Sequence, residues 1–303
     1  MIPCFNVAAF VTDALDSVAR QSISGLELII VDDASTDESL QVVETWVAHH
    51  DLEVIVHRRT ENGGLPQAVS DGLELARGRY YTQLDADDLL EPRALETHCG
   101  FLDAHPECGV VYGDVRFVSH DLSEQFELFT TDPPAEGDIL AMLARHGSVV
   151  PIVATVMRTD LVRQVGGYDL EASYQDWPLW LALARVTLFG YSGEAVGYMR
   201  RHPASMSVSS GRENRATRLH VLRKLLDEDI SPDVREAATR RAREVALSMW
   251  TAGDGRAGAR ECSRFARSKP SVRIGGLAAL MAIGVPARPF RRVVRRIRPG
   301  VWV

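Results

Sequence analysis

Short apolar runs alternate with amphipathic stretches over the first hundred residues of the chain. Leu26–Val31, Glu53–His57 and Tyr80–Leu84 are rich in apolar and β-branched residues, and each predicts a strand of a parallel sheet. Between Ala8 and Ser22 the apolar positions recur with the spacing of one helix face, which predicts a helix. Strands that alternate with helices predict a doubly wound α/β fold with a mostly parallel sheet.

Local signals place the helices that follow these strands. Ser35 and Glu38 have the spacing of a capping box, which predicts a helix that begins there and runs to about His49. Pro92 predicts the start of another helix, because proline is tolerated in a first helical turn.

The second half of the chain has a more mixed pattern and ends in helices. Val110–Val118, Ile152–Arg158 and Ala195–Arg200 predict strands, and Trp177–Val186 predicts a helix. From about residue 212 to 268 the pattern is helical and rich in Ala, Arg, Leu and Glu. We therefore expect a catalytic domain over residues 1–210, a helical appendage over 211–270 and an apolar and basic tail over 271–303.

Charge is spread unevenly along the 303 residues. The chain has a formal net charge of −7, but the segment from Ser271 to Val303 holds seven arginines and no acidic residue. The remaining residues therefore carry −14, which argues against a nucleic-acid partner because phosphate backbones would be repelled. The basic tail is a candidate contact with an anionic membrane surface.

The cysteines and the longest apolar run indicate where in the cell the protein is expected. The four cysteines form no Cys-x-x-Cys pair and no secretory signal is visible, so the sequence predicts neither a zinc site nor a disulfide framework. The longest apolar run, Ile274–Val285, is shorter than the ~20 residues that span a bilayer. We expect a cytoplasmic location, with the tail as a candidate contact with the cytoplasmic face of a membrane.

Aspartates follow two of the predicted strands. Asp32 and Asp33 come after one, and Asp85, Asp87 and Asp88 come after another. Ligands of open α/β sheets bind beyond the carboxyl ends of the strands. Each aspartate alone is explained as a helix N-cap. Together with diphosphate oxygens, however, several carboxylates at one edge form a site suited to Mg²⁺ or Mn²⁺.

Seven segments in this order resemble the inverting family 2 glycosyltransferases with the GT-A fold. The segments are Ile2–Asn6, Ile30–Asp37, Ala76–Tyr80, Leu84–Asp88, Gly166–Asp169, Gln175–Trp180 and Tyr198–Pro203. The resemblance covers about residues 1 to 207, and the ordered set is more specific than any single segment. Gly64–Pro66 is similar to a subgroup that acts on cell-surface polysaccharides and rhamnose-containing glycans.

The resemblance implies a nucleotide-sugar donor, a Mg²⁺ or Mn²⁺ cofactor and an acceptor that is a glycan or a lipid-linked molecule. It assigns the nucleotide pocket and the metal site to residues at the strand ends: Pro3, Phe5, Asn6, Asp32, Asp33 and Asp85 to the nucleotide, and Asp85 and Asp87 to the metal.

The same resemblance makes Asp176 the general base, a role that is compatible with an N-cap position at the start of a helix. His202 and Trp177 are candidate contacts with the diphosphate or the acceptor. An ordinary loop histidine and a core tryptophan are the alternatives for these two residues.

The sequence departs from the family pattern at three places. Gln175 stands where many members have Glu, and Ala68–Ser70 stands where many have Ala-Arg-Asn. Family members also carry more of a central strand before Ile2–Pro3, so we hypothesise a truncated or wrongly assigned start. A polyprenol-phosphate sugar synthase and an inactive nucleotide-binding scaffold remain as alternative functions.

Overall fold

Three parallel strands form the first sheet. They lie in the order β1 (Ile2–Cys4), β2 (Glu27–Asp32) and β3 (Glu53–Arg58). The helices that connect and follow them are α1 (Val11–Ala19), α2 (Ser39–Val47) and α3 (Leu65–Leu75). The alternation of strand and helix in this part is as the sequence predicts.

A second sheet of mixed direction follows. Its strands are β4 (Tyr80–Thr82), β5 (Leu89–Leu90), β6 (Cys108–Val118), β7 (Gln125–Phe129), β8 (Val156–Arg158) and β9 (Leu188–Arg200). They lie in the order β4-β8-β6-β9-β5, with β7 beside β6. Strands β6 and β9 are parallel, whereas the other described pairs in this sheet are antiparallel. The predicted α/β class is confirmed, and its parallel part is concentrated in the first sheet.

Four helices belong to the second half of this part of the chain. They are α4 (Ala94–Ala104), α5 (Leu140–His146), α6 (Thr159–Gln164) and α7 (Asp176–Leu183). Helix α7 brings two fully buried tryptophans, Trp177 and Trp180, into the core. Their indole N–H groups donate to the carbonyls of Leu143 and Val150, so both polar atoms are satisfied in an apolar setting.

The two sheets meet at the first residue of the chain. The Met1 ammonium group donates to the carbonyl of Thr82 at 2.7 Å, and the N–H of Leu84 donates to the carbonyl of Met1 at 3.0 Å. These two bonds have the pattern of a parallel strand pair. The carboxyl ends of β2, β1 and the segment that follows β4 therefore lie at one edge, which is where ligands bind in such sheets.

The computed structural model describes residues 1–129, 134–153, 155–202, 211–268 and 272–284. The chain divides into two units, Met1–Ser205 and Met206–Val303. The proposed boundary at residue 210 lies outside the described residues, as does the basic end of the tail, 285–303.

The second unit is helical in its described parts. Its helices are α8 (Gly211–Asp227), α9 (Pro232–Ala252), α10 (Gly255–Ser268) and α11 (Val272–Ala282). Helix α9 stops at Gly253, whose φ of 80° lies in the left-handed region that favours glycine. Within the described ranges, none of the helices combines the length and the apolar character needed to cross a bilayer.

The predicted capping box is wrong. Helix α2 begins at Ser39, and Ser35 lies four residues before it. Asp37 accepts the N–H of Ser39 at 2.9 Å, and the Ser35 hydroxyl accepts the N–H of Asn6 at 3.1 Å instead of a helical N–H. A contact with another strand end therefore replaces the local cap, which sequence spacing alone does not reveal.

Candidate active site

Asp33 is held by the loop that follows β3. Its two carboxylate oxygens accept the N–H groups of Gly63 and Gly64, each at 2.8 Å. The Arg59 guanidinium forms an ion pair with it at 2.8 Å and also contacts Asp71. Only 4% of the Asp33 side chain is exposed. The carboxylate is therefore fixed in direction by backbone donors and by a half-buried charge, and sequence analysis identified none of these partners.

Asn6 links the ends of β1 and β2. Its side-chain oxygen accepts the N–H of Thr36 at 2.8 Å and that of Asp37 at 3.3 Å. The residue has a φ of 54°, which asparagine tolerates better than most residues. Asn6 thus organises the turn in which the neighbouring Phe5 is 44% exposed, while Pro3 is buried.

Asp85 is oriented by a chain of buried polar groups. The side-chain amide of Gln83 donates to Asp85 Oδ1 at 2.7 Å. The Tyr168 hydroxyl donates to the side-chain oxygen of Gln83 at 3.3 Å. Gln83 has no exposed surface, and Tyr168 is 5% exposed. Tyr168 belongs to the Gly-Gly-Tyr-Asp segment, so that segment supports the aspartate loop. Gln83 carried no signal in the sequence.

Three aspartates crowd one another electrostatically. Burial and then the charge of Asp87 raise the pKa of Asp85, the hydrogen bond from Gln83 lowers it, and the charge of Asp176 adds a smaller rise. Together these effects bring the pKa to about 7. Asp85 and Asp87 follow β4, whereas Asp176 begins α7, some ninety residues later. The fold therefore brings the predicted base into electrostatic contact with a predicted metal ligand.

His202 lies on the other side of Asp87. Its Nε2 is 2.9 Å from Asp87 Oδ2. The imidazole packs on the ring of Phe10, with 4.5 Å between the ring centroids. In this structure the partner of His202 is therefore Asp87. The contact of His202 with a diphosphate or an acceptor stays a prediction.

Asp88 joins the aspartate loop to the end of β9. Its Oδ1 accepts the backbone N–H of Arg200 at 2.9 Å. Burial raises the pKa of Asp88, and Asp87 and Asp85 add to the effect. The Arg200 guanidinium in turn forms an ion pair with Asp13 at 2.7 Å. These contacts fix the backbone two residues before His202. The sequence motif that contains Arg200 was visible, but its bond to Asp88 was not.

Asp176 is the first residue of α7, and the cap position before it is occupied by Gln175. Asp176 Oδ1 accepts the N–H of Trp177 at 2.7 Å. The carboxylate is thus in the first turn, where the helix dipole favours negative charge, but it is not the N-cap that the sequence predicted.

Trp177 does not have the predicted contact role in this structure. It is 1% exposed, and its indole N–H donates to the carbonyl of Leu143 at 2.9 Å. A side chain that is buried and hydrogen-bonded in this way has no surface for a sugar. Of the two alternatives for Trp177, the core position is the one observed.

The donor set at this edge suits a hard divalent cation. Asp32 is 3% exposed, and its Oδ1 has no hydrogen-bond partner among the residues that the structure describes. An orphaned buried carboxylate oxygen and a carboxyl with a raised pKa both mark excess negative charge. A bound cation would relieve that charge, and oxygen ligands are those that Mg²⁺ and Mn²⁺ prefer.

A model of the glycosyl transferase family 2 matches residues 1–163, which is more than half of the chain. The chain belongs to glycosyl transferase family 2. The resemblance noted in the sequence is thereby confirmed at the level of the family.

One curated relative shares part of this region. The PGL/p-HBAD biosynthesis glycosyltransferase of Mycobacterium bovis BCG is 39% identical over 116 residues. The match covers 38% of this chain and 45% of that protein, so the chain spans less than half the length of this relative.

Two solved structures resemble the whole fold. Residues 1–349 of S. aureus TarS, in complex with UDP-GlcNAc, align with a TM-score of 0.72 at 17% identity, over 98% of this chain and 91% of that chain. The mannosyltransferase PcManGT of Pyrobaculum calidifontis, in complex with GDP-Man and Mn²⁺, aligns with a TM-score of 0.61 at 20% identity, over 97% and 81%. The GT-A fold predicted from the sequence is therefore confirmed.

Proposed function

We propose that the chain is an inverting glycosyltransferase that moves one sugar from a nucleotide-diphospho-sugar to an acceptor hydroxyl. The observation that carries the proposal is that the first residue of α7, Asp176, lies close enough to the Asp85–Asp87 loop for its charge to help raise the pKa of Asp85. Carboxylates that crowd one another in this way lower the stability of the folded protein. Such groups with shifted pKa values are common at catalytic sites. Family membership supports the same reaction class.

The donor nucleotide is proposed to bind at the ends of β1 and β2. Phe5 offers an exposed ring beside Asn6, and Asp33 offers a carboxylate that backbone donors already orient. An oriented carboxylate is a suitable acceptor for the ring N–H of a base. Pro3 and Asp32 complete this pocket from behind, and Asp85 is proposed to approach the ribose.

Asp85 and Asp87 are proposed to hold Mg²⁺ or Mn²⁺. A cation at these carboxylates would neutralise the diphosphate as it leaves, a contribution of several kcal/mol in enzymes that use metals in this way. The Mn²⁺ complex of PcManGT supports the choice of ion. His202, bonded to Asp87, is proposed to keep that carboxylate in place.

Asp176 is proposed to take the proton from the acceptor hydroxyl. The hydroxyl oxygen attacks the anomeric carbon from the face opposite the leaving nucleoside diphosphate, which inverts the configuration. General-base catalysis contributes about 10²–10⁴-fold to such a step. Asp176 lies in the first turn of α7, where the helix dipole favours the negative charge that a proton acceptor needs.

The acceptor is proposed to be a glycan or a lipid-linked molecule of the cell surface. The relative from M. bovis is named for PGL/p-HBAD biosynthesis, which supports assembly of a cell-surface product. A lipid-linked acceptor would place the reaction at the cytoplasmic face of a membrane. The sugar is proposed to be a hexose or a deoxyhexose.

The test is a panel of UDP-, GDP- and dTDP-sugars incubated with the full chain and Mn²⁺, with release of nucleoside diphosphate measured. We expect one donor to be hydrolysed slowly, with rates abolished by EDTA and by Asp87→Ala. Asp121→Ala is the matched control, because Asp121 lies on an exposed turn and should leave the rate unchanged. Binding of a donor without turnover in the presence of candidate acceptors would favour an inactive scaffold.

A second arm separates the enzyme classes. Polyprenyl phosphate is supplied as the only acceptor, next to glycolipid and oligosaccharide acceptors. Transfer to polyprenyl phosphate alone would indicate a polyprenol-phosphate sugar synthase. The anomeric configuration of the product, read from proton NMR couplings, tests inversion, and a retained configuration would contradict it.

A further inference from the structure

Helix α10 carries a line of exposed arginines along one face. Arg256, Arg260, Arg264 and Arg267 follow one another at intervals of four, four and three residues, and all four are exposed. Residues at these spacings lie above one another on a helix. With a rise of 1.5 Å per residue, the four charges span about 16 Å. We call this face the arginine stripe.

The opposite face of α10 is fixed to its neighbours. Ala259, Cys262 and Phe265 are buried, each with 5% exposure or less. A Cβ added to Gly258 would come within 3.0 Å of the Met281 sulfur in α11, so these two helices pack closely. Packing of the buried face therefore fixes the orientation of α10 about its axis, so that the arginine stripe faces the solvent.

Three of the four arginines of the preceding helix are used differently. In α9, Arg240 and Arg241 both form ion pairs with Glu244, and Arg235 donates to the carbonyls of Leu226 and Glu228. Their charges and donors are engaged within the protein.

Three of the four arginines of the stripe lack an acidic partner among the described residues. Arg256, Arg260 and Arg267 form no ion pair with any residue in the described part of the chain, and only Arg264 has an acidic neighbour, Glu261, at 3.5 Å. The helix holds four arginines and one glutamate, so it keeps a net charge of +3. Exposed arginines without acidic neighbours are free to contact an external anion.

We propose that the arginine stripe docks the protein on an anionic membrane surface. A straight line of guanidinium groups matches a flat sheet of lipid phosphates, each basic side chain near such a surface adding to the attraction. The sequence continues from the stripe through Ile283, which is 75% exposed, to six further arginines, a combination of apolar and basic groups typical of interfacial segments.

An anionic membrane is a better partner for the arginine stripe than a nucleic acid. Without the last 33 residues the chain carries −14, which would repel a polyanion that wraps around the protein. A flat membrane touches only the face that carries the stripe. Acidic groups of the protein that lie further from the lipid phosphates than the Debye length, about 8–10 Å, are screened by salt and repel them little. The proposal is independent of the transfer reaction and gives the helical unit, which lies beyond the family match, a role of its own.

The test is flotation of the full chain with vesicles of phosphatidylcholine, alone or with about one third phosphatidylglycerol. We expect binding to the anionic vesicles only, lost at high salt. The variant Arg256→Gln, Arg260→Gln, Arg267→Gln should bind about a hundredfold more weakly, since each basic group contributes about a factor of five. The matched control is Arg20→Gln, Arg240→Gln, Arg243→Gln, which removes three exposed charges elsewhere and should bind as the wild type does.

A lysine version of the stripe separates charge from folding. Arg256→Lys, Arg260→Lys, Arg267→Lys keeps the charge and should retain most of the binding, while thermal melts of all variants should coincide. Equal binding of the glutamine variant and the wild type would overturn the proposal, as would equal binding to neutral vesicles or none to anionic ones. Tighter binding to a duplex DNA at the same salt concentration would also overturn it, in favour of a nucleic-acid surface.

Discussion

The side-chain amide of Gln83 donates a 2.7 Å hydrogen bond to Asp85 Oδ1 and accepts another from the Tyr168 hydroxyl at 3.3 Å. This single buried amide connects the aspartate loop to a turn that lies more than eighty residues further along the chain. The direction of the Asp85 carboxylate thus depends on a residue that no motif identifies.

Replacing Gln83 should destabilise the protein. Gln83→Leu leaves the Tyr168 hydroxyl and Asp85 Oδ1 without their partner in a buried site, at a cost of about 1–3 kcal/mol. Urea unfolding measures this loss. Gln41→Leu, at an exposed position of α2, is the control and should change the free energy of unfolding by less than about 0.5 kcal/mol. Equal stability of both variants would contradict the hydrogen-bonded role of Gln83.

Ionisation of the buried Asp85 carboxyl should lower the free energy of unfolding as the pH rises. Its pKa is raised to about 7 from an ordinary value of 3.8, so between these values the folded state binds more protons than the unfolded state. Stability contributed by this group is therefore present below about pH 4 and lost as pH rises to about 7. Asp85→Asn removes the cost of ionising the buried carboxyl and should stabilise the metal-free protein at pH 8 by on the order of 3 kcal/mol.

The measurement is chemical denaturation from pH 5 to pH 8 in the presence of EDTA. The advantage of Asp85→Asn over the wild type should shrink steadily toward pH 5. Asp51→Asn, at an exposed loop position, serves as the control and should run parallel to the wild type. A constant difference across this pH range would show that ionisation of Asp85 is not responsible.

Gly64 should tolerate no side chain. Its φ of 82° and ψ of 167° lie in a region that is almost restricted to glycine, and its N–H donates to Asp33. Gly64→Ala should cost about 1–3 kcal/mol of stability and weaken nucleotide binding through Asp33. Gly100→Ala is the matched control, because an added Cβ at this exposed position of α4 meets nothing within 4 Å. The control should be neutral or stabilising by up to about 1 kcal/mol.

Replacing Trp177 should lower the stability of the protein and leave substrate binding unchanged. Trp177→Phe removes the hydrogen bond to the Leu143 carbonyl and part of a buried ring, which should lower the free energy of unfolding by about 1–3 kcal/mol. The KM for donor and for acceptor should stay within about twofold of the wild-type values. A large rise in the acceptor KM without loss of stability would restore the contact role that the sequence suggested.

The fold was predictable because its signals are local and repeated. Strands β2 and β3 and helix α1 follow directly from apolar periodicity, and the ordered motifs identified the family before any contact was known. The capping box failed because Ser35 finds a partner on another strand end, Asn6, and a tertiary contact of this kind overrides local spacing. The mixed direction of the second sheet also depends on pairing that sequence periodicity does not encode.

For the candidate site, the sequence offered the residues at the strand ends but not the groups that hold them. Aspartates after strands stand out in a sequence, so Asp33, Asp85 and Asp87 were named from their positions, whereas Asp176 was named from the family resemblance. The groups that hold them are ordinary residues, such as Arg59 beside Asp33, or backbone N–H groups, which have no sequence signal at all. Their identification needs the three-dimensional structure. The proposed roles of the named residues stay predictions until activity is measured.

The most direct test compares wild type and Asp176→Asn in two assays with the same donor. Calorimetry with Mn²⁺ and the nucleoside diphosphate of the active donor should give dissociation constants within about threefold of each other, since Asp176 is proposed to act on the acceptor. The rate of sugar transfer should fall by at least about 10²-fold, the contribution expected of a general base. Transfer by Asp176→Asn at near wild-type rates would contradict the account.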